Sequence, residues 1–241
     1  QRSLADPFRF SGLLWPDVHF YDRQIEIIES VRDNRETFVP AAHQVGKDYV
    51  AAFICLWALL AHREARIITT SIKDDHLRVL FGEIGRFIQS SKKPLSVEQG
   101  GPLIINHRDI RKVGDPISYL RGMVSATGEG MAGHHAEYSL LVIDESSGVH
   151  DEVYKRSTWA KHVLAIGNPY PAGGNFFERA VKSGQDNVIR IAAADSPNVK
   201  LALEQQAAGH EPTGEIITPG IVTWQEYQER LKTWDAVQVC V

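Results

Sequence analysis

The sequence predicts an α/β fold built on a mostly parallel central sheet flanked by helices. Three observations carry that expectation. Between Thr37 and Gln89, apolar β-branched runs alternate with helical patterns, the signature of βαβ units. The stretches Tyr138–Asp144 (YSLLVID) and His162–Gly167 (HVLAIG) are almost wholly apolar, as strands buried on both faces should be. A chain of 241 residues is also long enough to bury such a core without disulfides or structural metal.

The elements follow in order. Tyr21 to Asp33 reads as a helix carrying Ile25, Ile27, Ile28 and Val31. Thr37 to Pro40 is a short strand, and Lys47 to about His62 a helix. Arg66 to Ser71 is a β-branched strand leading into a helix from Asp74 to about Gln89. Leu103–Asn106 and Ser118–Thr127 read as strands joined by the polar stretch His107–Pro116, and Asn187–Ala192 as a further strand. Beyond Asp195 the pattern weakens: Leu201–Ala208 reads as helical, Gly209–Gly214 as a loop, and Thr223–Trp234 as a helix with Thr223 as N-cap. Residues 1–195 therefore read as the core, and 196–241 as a lid or linker.

The formal net charge of −4 argues against a protein that coats nucleic acid with its whole surface, while leaving room for a local contact. Basic residues gather at Arg108, Arg111 and Lys112 and at Lys92 and Lys93, where solvated loops are the simpler explanation. Cys55 and Cys240 have no metal or redox spacing, so a reducing intracellular compartment is expected. The apolar run Val50–Ala61 is too short to span a bilayer, and no membrane association is expected.

Four motifs carry chemistry. Ala41-Ala42-His43-Gln44-Val45-Gly46-Lys47-Asp48 follows a strand and opens a helix, the setting of a phosphate-binding loop. There backbone N–H groups face phosphate oxygens, Gly46 permits close approach and Lys47 reaches the β- and γ-phosphates. The usual pattern begins with Gly and ends in Ser or Thr. This chain has Ala41 and Asp48, and the Asp48 carboxylate can still ligate Mg²⁺. The second motif is the apolar strand ending in Asp144-Glu145. In P-loop enzymes the aspartate holds Mg²⁺ and the following glutamate orients the attacking water. The third, Gly167-Asn168-Pro169, ends another buried strand. It places the Asn168 amide to sense a γ-phosphate or the water, although such a tripeptide also forms a simple turn. The fourth is Tyr21 with Gln24 at the head of the first helix. The Gln24 amide can both donate to and accept from adenine, and Tyr21 can stack on the base.

Together, FYDRQIEIIESV, AAHQVGKD, IITTSIKDDHLRVLFGEI, GEGMAGHHAEYSLLVIDESSGV, AIGNPYPAGGNFFE and DSPNV…ITPGIVTWQEYQERL resemble the large subunit of phage DNA-packaging terminases, from about residue 20 to 231. The resemblance implies an additional-strand, RecA-like P-loop ATPase with a small C-terminal lid, using ATP and Mg²⁺. It implies that Gln24 reads adenine, Lys47 binds phosphate, Asp144 holds Mg²⁺, Glu145 activates water and Asn168 couples hydrolysis to motion. It further implies a ring, pentameric in the family, around double-stranded DNA in the host cytoplasm, with a small terminase subunit and a portal protein as partners.

Two departures concern arginines. His43 and the segment Gly130–His135 stand where the family often carries them, so the arginine finger is open among Arg121, Arg156, Arg108 and Arg111. The family's C-terminal nuclease is expected to be absent from this chain, and no DNA cleavage is expected from it. Competing readings are another P-loop translocase or helicase, for which 241 residues leave no second RecA-like domain, and a degenerate nucleotide-binding scaffold.

Overall fold

The computed structural model describes residues 5–124, 130–170, 173–182 and 187–233. The 125–127 end of the expected Ser118–Thr127 strand, part of the glycine-rich approach to Asp144, Trp234 and Cys240 lie outside them. Strands β1 (Glu36–Pro40), β2 (Ala65–Ser71), β3 (Leu103–Asn106), β4 (Asp109–Lys112), β5 (Asp115–Val124), β6 (Tyr138–Asp144) and β7 (His162–Gly167) form one sheet in the order β1-β7-β6-β2-β5-β4-β3. The five strands from β1 to β5 in that order are parallel, and β4 and β3 are antiparallel additions at one edge. Strand β7 is inserted between β1 and β6, the order expected of an additional-strand, RecA-like sheet.

Helices cover both faces. Helices α1 (Pro7–Leu14), α2 (Asp22–Asp33), α3 (Lys47–Ala61) and α4 (Asp74–Ser90) contribute to one core, while α5 (Asp151–Lys155) and α6 (Gly174–Phe177) contribute to the other. The two-residue period of a strand sends Leu140 and Val142 of β6 into the first core and Leu141 and Ile143 into the second. Helix α3 is apolar all round because all ten residues from Val50 to Leu59 are buried. Phe53 lies at the centre of an aromatic group, 4.7 Å from Phe20, 6.0 Å from Trp15 and 6.1 Å from Phe87 between ring centres. Helices α7 (Pro197–Ala207) and α8 (Trp224–Thr233) follow the sheet. No helix among the described residues is long and apolar enough to cross a membrane.

Three sequence expectations are corrected. The polar stretch 107–116 contains strand β4, stabilised by cross-strand pairing of Asp109 with Arg121 rather than by apolar alternation. Residues 187–192 do not form a continuous strand. Phe38 and Ile191 donate N–H groups to Asn187 and Pro40, and Ile189 and Ala42 donate to Phe38 and Ile191. The bond between these pairs would need an N–H on residue 40, which proline lacks, so the ladder splits into two bridges. Helix α1 was not foreseen, although Asp6-Pro7 is a readable start: Asp6 accepts the Arg9 N–H at 2.8 Å and Pro7 occupies the first turn.

Truncating Phe53 to Ala should cost about 3–5 kcal/mol of unfolding free energy, because it opens a cavity among four rings. Urea denaturation measures this, and a loss below about 1 kcal/mol would show that the aromatic group repacks around the gap.

Candidate functional site

Parallel pairing brings the motifs together. The register sets Pro40 opposite Gly167 and Asp144 opposite Ile166, so the phosphate loop, the Asp144-Glu145 pair and Asn168 leave the same edge of the sheet. In open α/β sheets this carboxyl edge is where ligands bind. A cavity of about 670 Å³ lies there, lined by His43, Gln44, Gly46, Lys47 and Asp48 of the loop and by Gln24 and Glu145. His19, Tyr49, Glu83, Arg86, Phe87, Ser90 and residues 218–221 complete the wall.

The loop is built from backbone constraints. The N–H groups of Ala41 and Ala42 are held by the carbonyls of Gly167 and Ile191, which fix the loop to its neighbours. Gln44 (φ 59°) and Gly46 (φ 76°) both take left-handed conformations, and the turn delivers the chain into α3 at Lys47. The first-turn N–H groups of α3 have no intrahelical acceptors, and the helix dipole adds positive potential at the same point. Val45 is buried, and its carbonyl accepts from the Tyr21 hydroxyl at 2.6 Å.

Lys47 is nearly enclosed, and its ammonium lies 2.7 Å from Glu145 Oε1, 3.1 Å from Asp48 Oδ1 and 3.5 Å from Asp144 Oδ1. Burial alone would lower its pKa, but the three carboxylates together hold it above the usual lysine value. Asp144 is only 3% exposed. Burial pushes its pKa up to about 7 against the lowering pull of Lys47, and Asp48 and Glu145 raise it further. Burial, with Arg230 and Lys47 nearby, lowers the pKa of His43, while Glu145 pulls it upward. Three hard oxygen groups around one cation suit a small divalent ion that takes its remaining ligands from phosphate and water. Among the described residues no cluster of three or more His, Cys, Asp or Glu side chains is placed to hold a metal by itself.

Glu145 sits at φ 48°, a strained conformation for a non-glycine residue, and its N–H bonds the Asp144 carboxylate at 2.9 Å. Gly167 explains how the backbone fits. A Cβ there would lie 2.7 Å from the Ser146 nitrogen and 3.2 Å from Glu145 Cα, so only glycine lets β7 pass this turn. Asn168 follows, nearly buried. Its Oδ1 accepts the Tyr170 N–H at 3.0 Å, whereas its Nδ2 has no partner among the described residues.

Gln24 accepts from the Tyr21 N–H at 3.4 Å and donates to the Gly46 carbonyl at 3.3 Å, so it lies against the loop inside the cavity. Tyr21 does not line that cavity. Its hydroxyl is committed to Val45, and its ring borders a separate cleft of about 330 Å³ with Asp195, Pro197 and Lys200. The candidate arginines are also elsewhere. Arg121 pairs with Asp109 at 2.6 Å, Arg111 with Asp109 at 2.8 Å, Arg108 with Asp74 and Arg156 with Glu152 at 3.8 Å, and none of them lines the cavity. Sequence reasoning missed Arg86 on α4, which does line it, and Arg230 on α8, which donates to the His43 carbonyl at 2.9 Å. No phosphate-loop motif surrounds either residue, so only the fold could reveal them.

No protein-family model matches the chain. A probable terminase large subunit from Enterobacteria phage P7 is 26% identical over 193 residues, covering 73% of this chain. The chain spans 38% of the length of that relative. The large terminase ATPase domain of Thermus phage P74-26 superimposes with a TM-score of 0.60 at 16% identity, covering 96% of this chain and 95% of that one. The large terminase of the thermophilic bacteriophage D6E in complex with ADP gives a TM-score of 0.52 at 14% identity, covering 78% of this chain and 50% of that one. The motif resemblance to terminase large subunits therefore extends to a sequence relative and to the fold.

Gly167→Ala should destabilise the protein by roughly 1–3 kcal/mol, because its methyl meets backbone that cannot swing aside. Thermal unfolding monitored by circular dichroism tests this. An unchanged melting temperature would mean that the Glu145 turn tolerates displacement.

Proposed function

We propose that this chain is the ATP-hydrolysing motor domain of a phage DNA-packaging terminase, with residues 1–195 as the ATPase core and 196–241 as a lid. One observation carries the reading: the phosphate-loop lysine meets the Asp-Glu pair that ends β6, two strands away in the same parallel sheet, and Lys47 and Glu145 line one cavity. The adenine end of ATP is assigned to Gln24, the phosphates to residues 42–48 and the metal to Asp144 with Asp48. The ADP bound in the D6E terminase supports nucleotide as the ligand class.

The residues divide the chemistry between them. A γ-phosphate entering the cavity competes with Glu145 for the Lys47 ammonium, whose raised pKa keeps it charged. The Glu145 carboxylate so released accepts a hydrogen bond from the attacking water and aligns it with the γ-phosphorus. The new P–O bond forms as the bond to the β,γ-bridging oxygen breaks, leaving ADP and inorganic phosphate. Asp144 and Asp48 would hold Mg²⁺, which would supply positive charge against that of the phosphates. Asn168 follows Gly167 beside the Glu145 turn, and its Nδ2, without a partner among the described residues, offers a donor suited to sensing phosphate.

Charge on the transferring group needs a further cation. The four candidate arginines are engaged in ion pairs away from the cavity and Arg86 at its wall is paired with Glu83, which favours an arginine supplied by a neighbouring subunit in a homo-oligomeric ring of five. That ring encircles double-stranded DNA and works with a small terminase subunit and a portal protein in the host cytoplasm.

Lys47→Ala should abolish ATP turnover, read as phosphate release, and wild-type turnover would refute the loop assignment. Glu145→Gln should bind Mg·ATP with near wild-type affinity yet release phosphate at least about 100-fold more slowly. If that substitution weakened binding and turnover equally, Glu145 would be a ligand-holding group instead of the water-orienting one.

A further inference from the structure

The phosphate loop is clasped from behind by the segment that ends in α8. The Val222 N–H donates to the Gln44 carbonyl at 2.8 Å. Ile221 packs against Gly46, where a methyl would meet its Cγ2 at 3.4 Å. The Arg230 guanidinium, 7% exposed, donates to the His43 carbonyl at 2.9 Å and to the Gln44 side-chain oxygen. Glu226, one turn earlier on α8, is fixed by the Thr223 N–H at 2.8 Å and hydroxyl at 2.9 Å. It stands beside both Arg230 and the Gln44 amide, which help hold its carboxyl below the usual range after the Thr223 N–H.

These contacts converge on Gln44, the one non-glycine residue of the loop with positive φ. A side chain in that conformation persists only where its surroundings over-determine it. Here they do so with charge-assisted hydrogen bonds in a buried setting, the strong class of such bonds. The Gln44 side chain is thereby turned toward α8, and the carbonyls of His43 and Gln44 are occupied on that same side. Beyond Ala42, whose N–H is held by Ile191, the loop N–H groups are the ones a ligand can use.

We propose that Arg230 is a positioning residue for nucleotide binding, holding the His43–Gln44 turn in its phosphate-accepting shape and so tying nucleotide affinity to the docking of α8. The inference rests on the nucleotide reading of the cavity. Coupling between two sites is reciprocal, so bound nucleotide must in turn strengthen the docking of residues 218–233 on the loop. The C-terminal helix thus senses the occupancy of the cavity through Gln44 and Arg230, with no group of its own touching phosphate.

The test uses this chain with fluorescent ADP for affinity, phosphate release for turnover, and hydrogen exchange for the backbone. Arg230→Ala should weaken ADP binding and raise the KM for ATP by about tenfold or more, with kcat changed far less. Exchange at residues 43–47 should speed up, and Arg230→Lys should recover part of the affinity. The Arg230→Ala, Gln44→Ala double variant should be little worse than either single one, since both remove the same contact. In the wild-type chain, ADP should slow exchange across α8, residues 224–233, beyond the 218–221 stretch that lines the cavity itself. This last measurement decides the matter even if Arg230→Ala fails to fold. A folded Arg230→Ala chain with wild-type KM and loop exchange would overturn the proposal, as would ADP binding that leaves 224–233 unprotected. A wild-type chain that binds no nucleotide would instead overturn the ATPase reading on which the proposal rests.

Discussion

The buried ammonium of Lys47 is the interaction on which the site depends. A charge held so far from water persists only where opposite charges compensate for its lost hydration. Three carboxylates do so, and they come from two segments almost a hundred residues apart in the chain. Their excess negative charge is equally uncomfortable. Asp144 shows this directly, since burial and its acidic neighbours push its carboxyl well above the ordinary range. A lysine ammonium held by three acids beside a helix N-terminus is poised to exchange its ion pairs for contacts with a metal–phosphate group. The same electrostatic arrangement that allows the pocket to exist therefore also fits it to a ligand.

That arrangement is held by strained backbone. Gln44 and Glu145 both take left-handed conformations without being glycine, and both face the cavity. Each is over-determined by neighbours. Gln44 is bracketed by α8, and Glu145 is set by its N–H bond to Asp144 and by the close passage of Gly167. The glycines at 46 and 167 serve a different purpose from the strained residues: each removes a side chain where Gln24 or the Ser146 backbone already fills the space. A rigid parallel sheet supplies the platform, and the site's shape resides in four or five torsions at its carboxyl edge.

Much of this was legible in the sequence because it is local. Wholly apolar strands, the loop between β1 and α3, and the acidic pair ending β6 are contiguous patterns with a direct physical meaning. Strands β6, β7 and β3 lie where the pattern placed them, and Thr223 caps α8 as expected. The misreadings arose where non-local partners decide. Strand β4 is polar and short, and exists because Asp109 finds Arg121 across a hairpin. The segment 187–192 has strand-like composition, but its ladder is broken by a proline on a different strand. Tyr21 has the character of a base-stacking residue, yet its hydroxyl is spent on Val45 and its ring faces another cleft.

The sequence alone determined the chemical inventory: a phosphate loop with one lysine, an Asp-Glu pair at a strand end, an asparagine at the next, and a fold of alternating strands and helices. Such features are written in neighbouring residues and in periods of two or 3.6, which the chain carries without knowledge of its own folding. Only the tertiary structure decided which of these groups share a cavity, because that follows from the order β1-β7-β6 and its register. Only it could place Arg86 in the same cavity as Lys47 and Arg230 behind Gln44. An arginine on the surface of one helix and an arginine locked onto a loop 186 residues away look alike in one dimension, and differ only in what folding brings against them.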